Sequence, residues 1–462
     1  MEIKDIMKKF LGFSVGPLFS ALLSFITIPI TTYLISPEEF GKASFFTITI
    51  TLMLSIIYLG IDQSFAREYF NTKNKKSLYF NAIVLPLTIA FLLSIFVFLF
   101  RDMFLLYLFG EKNHKFVPFM FCSMLFLVII ERFTLMSYRM EEKAVQYSLF
   151  SISSKFFTLI FTLIFLLFIK RSFISIVYAT FVGQFFSTIL LILFSKKNIC
   201  ISVKYFDLNI IKSLLKFGFP MLISALVATF LNSGGQFFLR FFGNFNDVGM
   251  YAAALKITSL INIVQASFTS FWIPLAYRWN KENVDHRYFK RVADILTFLL
   301  TIFFILLVIS KNYLIMVLSP EYVKASQIVG LLSLTPIVYT LSEATTLGIV
   351  FSGKSYYSFI SSIIALITNV ALNLFFVPRY GVYAAAFAQA TAFIVFYFLK
   401  LYFSKKEHFY IIDYKNIISI IILFFMSLIN VLDSNKVIIV NLIALLIIIL
   451  LYVPHIRSII KK

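Results

Sequence analysis

The sequence predicts an all-α integral membrane protein of about fourteen transmembrane helices. They are read as two six-helix lobes around a central path, with two further helices at the C-terminal end. Three observations lead there. The 462-residue chain is 60% hydrophobic and only 13% charged, where a soluble domain is nearer half apolar and a quarter charged. Apolar runs of roughly 20 residues recur from end to end, each long enough to cross a hydrocarbon core of about 30 Å. The pattern of the first half also returns in the second, offset by about 207 residues. A β-barrel would show short alternating segments instead.

The repeat is clearest in the stretch Lys216 to Arg278. Lys216-Phe217-Gly218-Phe219-Pro220 opens a span that closes on Arg240. The turn Gly243-Asn244-Phe245-Asn246-Asp247 leads into a second span, which carries Lys256 and ends at Phe271-Trp272-Ile273-Pro274. A weaker copy begins at Lys9-Phe10-Leu11-Gly12-Phe13, turns at Pro37-Glu38-Glu39 and continues from Phe40-Gly41-Lys42-Ala43-Ser44. Parallel halves of this kind are a common way to build a transporter around a central path.

In chain order the spans lie near 12–34, 42–61, 79–100, 116–137, 146–169, 172–194, 217–239, 248–273, 292–310, 326–351, 356–377, 381–403, 411–431 and 437–454. The first is interrupted by Gly16-Pro17 and lacks a small-residue cleavage site, so it reads as a span and not as a removable signal peptide. Met103–Phe109 is too short to cross and is placed at the interface. The domains read as an N-terminal lobe (1–195), a basic linker (196–213), a C-terminal lobe (214–404) and two additional spans (405–462). With the N-terminus inside, about 28 basic residues fall on the cytoplasmic side and about 11 outside, which places both termini in the cytoplasm. The net charge of +20 is thus read as topology-setting loops against anionic lipid, not as a nucleic-acid surface. Two cysteines and four scattered histidines give neither a disulfide framework nor a metal site.

Several stretches resemble a known family. These are Leu59-Gly60-Ile61-Asp62-Gln63-Ser64-Phe65-Ala66-Arg67-Glu68-Tyr69, Lys216-Phe217-Gly218-Phe219-Pro220, Leu318-Ser319-Pro320-Glu321-Tyr322-Val323-Lys324-Ala325, Asn369-Val370-Ala371-Leu372-Asn373, and Pro378-Arg379-Tyr380-Gly381-Val382-Tyr383-Ala384-Ala385-Ala386. Together, in order and spacing, they resemble the polysaccharide-transport branch of the multidrug, oligosaccharidyl-lipid and polysaccharide exporter superfamily. The resemblance implies two six-helix lobes facing each other across a central cavity that opens alternately to either side. It also implies a flippase that moves undecaprenyl-pyrophosphate-linked oligosaccharide repeat units across the bacterial cytoplasmic membrane for O-antigen, capsule or exopolysaccharide synthesis. Partners would be the lipid-linked substrate, membrane lipids, and the polysaccharide polymerase and chain-length machinery. One position departs from the family: where an Asp-Arg pair is often found, the seventh span reads Asn232-Ser233-Gly234-Gly235-Gln236.

Charges inside spans are costly and usually face a cavity or a partner. Lys155, about 13 Å into the fifth span, and Lys256, at similar depth in the eighth, are the leading candidates for a cationic cavity that meets pyrophosphate. Arg67 and Arg240, nearer span ends, are secondary, since both are able to snorkel. Glu343 reads as a coupling group or an ion-pair partner, because a buried carboxylate is readily protonated. Glu131 and Arg132 read as an ion pair, and Asp62 as a helix-end residue. Pro17, Pro29, Pro220 and Pro336 interrupt spans and are candidate hinges, and Pro86 is another interruption. No cofactor or metal is expected. Coupling to a proton or sodium gradient is left open. The alternative reading is a cation-coupled exporter of the multidrug and toxin extrusion type. Fourteen spans and the surplus of intramembrane lysine favour the flippase. No phosphate-binding loop is present for direct ATP hydrolysis. A polymerase would need a large outer loop and a membrane acyltransferase an intramembrane histidine, and the sequence offers neither.

Overall fold

A computed structural model describes residues 3–195, 202–409, 411, 414–432 and 435–460. Among these the chain is helical almost throughout and contains no strand. It forms two compact units, Met1–Thr229 and Phe230–Lys462. Helices α1 (Ile3–Leu34), α2 (Pro37–Ile57), α3 (Ile61–Glu68), α4 (Lys75–Leu99), α5 (Arg101–Phe109), α6 (Val117–Met140), α7 (Ala144–Phe168) and α8 (Phe173–Phe194) belong to the first, and the dividing line falls within α9 (Leu208–Phe242). The second holds α10 (Phe245–Lys281), α11 (His286–Met316), α12 (Ser326–Thr345), α13 (Leu347–Phe351), α14 (Tyr356–Lys406), α15 (Tyr414–Ile429) and α16 (Asn435–Ile460). Of the linker expected at 196–213, residues 196–201 lie outside the described residues, as does the side chain of Pro17.

Among the described residues ten helices are long and apolar enough to cross a membrane, and three shorter apolar helices accompany them. One of the ten, α14, is 51 residues long and breaks at Gly381 (φ 52°, ψ −129°). It therefore supplies two crossing segments, and the total agrees with the fourteen expected. The short piece at 103–109 is α5, nine residues long. Helix starts follow their capping residues. Ser36 accepts from the Glu39 amide ahead of Pro37, Asn74 from Ser77 and Asn244 from Asp247, each satisfying an otherwise orphaned N–H.

In the first unit α7 packs between α1 and α8, and α6 packs on α4 and α8. The α2–α3 corner is formed by Gly60 in the left-handed region (φ 69°). A Cβ there would stand 2.1 Å from the Gly218 carbonyl oxygen of α9. Close by, Ser64 Oγ donates to the Leu214 carbonyl at 2.7 Å. Phe65 and Tyr58 meet Phe133 edge-on, at 5.8 and 6.1 Å between ring centroids. Those contacts seat α3 against α6.

The second unit is built around α12, whose residues are nearly all buried and which packs on α10, α11, α14 and α15. The ends of the folded-back α14 are clasped by Lys354–Glu407 at 2.9 Å, and the hydrogen bond that Lys354 donates to Glu407 raises the pKa of Lys354. The last two helices are joined to this unit by buried polar groups. Asn430 and Asn441 exchange side-chain hydrogen bonds at 2.8 and 3.1 Å, and Lys311 donates to the Asn430 carbonyl at 2.6 Å. Asn416 donates to Asp294 at 2.9 Å while accepting from Tyr452 at 2.7 Å. The far face of α16 presents Ile439, Leu442, Leu446 and Leu450 to the outside, as a lipid-facing helix does.

Gly60→Ala must overcome both a left-handed backbone and a backbone clash, so a stability loss of about 2–4 kcal/mol is expected. Gly353 also has positive φ (70°) but open space around it, and Gly353→Ala is expected to cost about 1 kcal/mol. Thermal unfolding of the two variants in detergent measures the difference.

Candidate functional site

In the first unit the polar groups gather where α3, α6, α7 and α8 meet. Arg132 Nη2 lies 2.8 Å from Asp62 Oδ2. The carboxylate is buried and the guanidinium half exposed. Asp62 also accepts from Gln63 Nε2 at 3.2 Å. Glu131, next in sequence to Arg132, makes no pair with it. It accepts instead from Gln184 Nε2 of α8. Gln184 is fixed in turn by Ser154 at 3.2 Å and Thr188 at 3.1 Å. Lys155 is exposed on α7 and attracts Glu131 without closing a direct ion pair. The four charges thus fall into two pairs of opposite sign, Asp62 with Arg132 and Glu131 with Lys155.

Arg67 stands apart from this cluster. Its guanidinium lies over the Phe217 ring at 4.4 Å and 3.9 Å from Glu68. Both interactions hold an exposed arginine near the surface.

The second unit repeats the motif with different residues. Glu343 of α12 accepts from Thr269 Oγ1 of α10, and its main-chain carbonyl accepts from Trp272 Nε1 at 3.2 Å. The nearby cation is Lys400 of α14, which is not among the residues singled out from the sequence. Lys400 Nζ donates to Ser342 Oγ at 3.5 Å and lies 5.2 Å from the Phe396 ring centre. Glu131 and Glu343 each sit in the fourth crossing segment of their half. Asp62 and Thr269, which bond to that segment in the two halves, are spaced by the repeat offset of about 207 residues. Trp272 is fully buried, stacked on Phe268 at 5.8 Å.

Lys256 is exposed on α10, thirteen residues before Thr269 and hence about 20 Å from it along the helix. The fold does not bring it to Glu343. Arg240, half-buried at the end of α9, covers the Phe245 ring at 4.5 Å. Pro220 and Pro336 lie inside continuous helices, as do Pro86 and Pro274, whereas Pro378 stands three residues before the break of α14 at Gly381. Pro29 falls within α1.

A neutral polar cluster occupies the region of the missing Asp-Arg pair. Tyr251 donates to Gln389 Oε1, and Gln389 Nε2 donates to Thr335 at 3.3 Å. Asn373 donates to Asn369 Oδ1 at 3.0 Å. Asn369 Nδ2 and Asn373 Oδ1 are buried with no hydrogen-bond partner. A Cβ on Gly235 would stand 2.6 Å from the Tyr251 hydroxyl, and one on Gly234 3.4 Å from Asn369 Oδ1. A larger residue at Gly235 would have to move the Tyr251 hydroxyl. Among the described residues no cluster of His, Cys, Asp and Glu is arranged to hold a metal.

Two compact units, with ten helices among the described residues long and apolar enough to cross a membrane, three shorter apolar helices and charged residues within the helices of both units, define a multi-pass helical membrane protein. Over 97% of this chain and 99% of the other, the fold matches a structure described as lipid II flippase MurJ in an inward closed conformation, with a TM-score of 0.74 at 16% identity. A Vibrio cholerae MATE transporter matches over 87% and 96% of the two chains, with a TM-score of 0.59 at 17% identity. An outward-facing multidrug resistance MATE family transporter of the MOP superfamily matches over 86% and 94%, at 0.57 and 18%. No curated protein matches by sequence. A family model described as polysaccharide biosynthesis protein matches residues 6–280, more than half of the chain. The protein belongs to that family.

Removing one partner of the Asp62–Arg132 pair strands the other. Asp62→Ala is expected to cost about 1–3 kcal/mol, less than a fully buried pair because Arg132 is half exposed. The exchange Asp62→Arg with Arg132→Asp should recover part of the loss. Melting temperatures of the single and double variants in detergent decide it. Gly235→Ala crowds the Tyr251 hydroxyl and should destabilise by about 1–3 kcal/mol, read by the same melts.

Proposed function

We propose that the protein is a flippase. It translocates undecaprenyl-pyrophosphate-linked oligosaccharide repeat units across the bacterial cytoplasmic membrane by alternating access, for surface polysaccharide synthesis. The observation that carries this reading is an exposed lysine within a spanning helix of each unit, Lys155 and Lys256. Charges inside spanning helices are expensive and usually face a wet cavity, a partner or a charged ligand. The substrate supplies that ligand as pyrophosphate, while its polyprenyl tail stays in lipid. Family membership supports the polysaccharide side of the reading, and the likeness in fold to a lipid II flippase supports the lipid-linked side.

In this scheme Arg67 and Arg240 add positive potential toward the two ends of the path. Glu343 is the group through which a proton or sodium gradient acts, because it is a half-buried carboxylate held by a single hydroxyl and a cation at a distance. Asp62, Glu131 and Arg132 hold the first unit's helices in register for Lys155. Both termini lie in the cytoplasm, and the polymerase and chain-length machinery act on the product. The fold likeness to MATE transporters supports a second reading, export of small cationic molecules.

Deletion of the gene is expected to trap lipid-linked repeat units on the cytoplasmic leaflet and abolish surface polymer. Lys155→Ala and Lys256→Ala should each lower surface polymer at least ~10-fold, the equivalent of about 1.4 kcal/mol, while reaching the membrane in normal amount. Normal polymer in the deletion strain, with new sensitivity to cationic dyes, would overturn the flippase reading in favour of the exporter.

A further inference from the structure

Lys400 carries an unmet requirement. It is half-buried in the second half of α14, inside a segment that crosses the membrane. An ammonium has three donors, yet among the described residues Lys400 makes one hydrogen bond, the long one to Ser342. The nearest carboxylate, Glu343, is occupied by Thr269 and attracts Lys400 without direct contact. Ser342 has already given its own proton to the Tyr339 carbonyl at 2.7 Å, so it offers Lys400 only a lone pair. The Phe396 ring covers one side of the ammonium, 5.2 Å from Nζ to its centre. A cation kept in a low-dielectric segment at this cost, with donors unspent, matches a site that is completed by an anionic oxygen.

We propose that Lys400 is a further substrate-binding residue that takes a phosphate oxyanion of the lipid-linked substrate, with Glu343 as its resting counter-charge. This rests on the flippase reading above. Lys400 lies six residues before Lys406, at the end of α14 that the charge bias assigns to the cytoplasm. It would therefore meet the diphosphate early in loading. The four-carbon stem lets the ammonium turn from Ser342 and Glu343 to the arriving oxyanion and back. Competition from Glu343 keeps the binding weak enough to release, as a transport pathway requires.

The chain has two tryptophans, Trp272 and Trp279, and Trp272 is bonded to the Glu343 main chain. A Trp279→Phe background makes Trp272 the sole reporter of this site. Undecaprenyl pyrophosphate titrated into that protein in phosphatidylcholine nanodiscs should shift Trp272 emission saturably, whereas undecaprenol should not. Lys400→Met should raise the apparent Kd at least ~10-fold, and Lys400→Arg should keep it within a few-fold. Glu343→Gln, which removes the competitor, should lower the Kd, and this arm stands even where Lys400→Met folds poorly. An unchanged Kd in a well-folded Lys400→Met, or a raised Kd in Glu343→Gln, overturns the proposal. So does the same emission shift produced by undecaprenol or by added phosphatidylglycerol alone, which would assign the response to the tail or to a lipid headgroup. If the deletion strain keeps its surface polymer, the functional reading falls, while the titration still decides whether Lys400 takes a diphosphate.

Discussion

Hydrocarbon offers a polar group nothing to bond to, and the whole structure answers to that constraint. Backbone groups are satisfied inside helices, which is why the described chain has no other regular structure. Side chains face the same demand and meet it across helices. Asp62 finds Arg132, Gln184 finds Glu131, Thr269 finds Glu343, and Asn416 is bonded on both sides. Each such bond fixes the rotation of two helices about their axes, which apolar contact alone leaves loosely specified. The polar residues in the membrane are therefore what set the register of the fold.

The repeat adds a second layer. The fourth crossing segment of each half presents a glutamate, held by a neutral partner and attracted to a lysine on another helix. The neutral partner differs, Gln184 in one unit and Thr269 in the other, and so does the helix that supplies the lysine. Among the described residues, only the first unit adds an arginine–aspartate pair beside the glutamate. The duplicated scaffold thus preserves the placement of charge while the surrounding residues have diverged. The second unit is left with the less supported carboxylate, and that is where a change of charge state would be felt most.

The helices could be read from sequence because a bilayer requires about 20 apolar residues per crossing, and these runs are uninterrupted. Their ends were less legible. The eighth span was read to end near Ile273, yet α10 continues through Pro274 to Lys281, since a helix packed among others tolerates one missing N–H. The candidate site was legible only as a set of charges. Glu131 and Arg132 are adjacent and suggested an ion pair, but neighbours on a helix point about 100° apart and meet different partners. Asp62 and Arg132 are joined across seventy positions, a relation that spacing does not encode. Lys400 is not legible from its own run, because its surroundings, Ser342 and Glu343, are set by α12, which is far away in sequence. Trp272 ends an apolar run in sequence, and packing turns it into the core, where its N–H finds the Glu343 carbonyl.

The clasp that holds the last two helices has a bearing on how the chain is made. Asn430 and Asn441 satisfy each other within the hairpin α15–α16, so that hairpin can leave the insertion machinery with these amides already covered. Asp294 and Lys311 are different: they lie on α11, which is synthesised more than a hundred residues before Asn416 and Asn430. The bonds from Asn416 and to the Asn430 carbonyl form only once that hairpin has been made, so part of the polar bonding of α11 is completed late in synthesis.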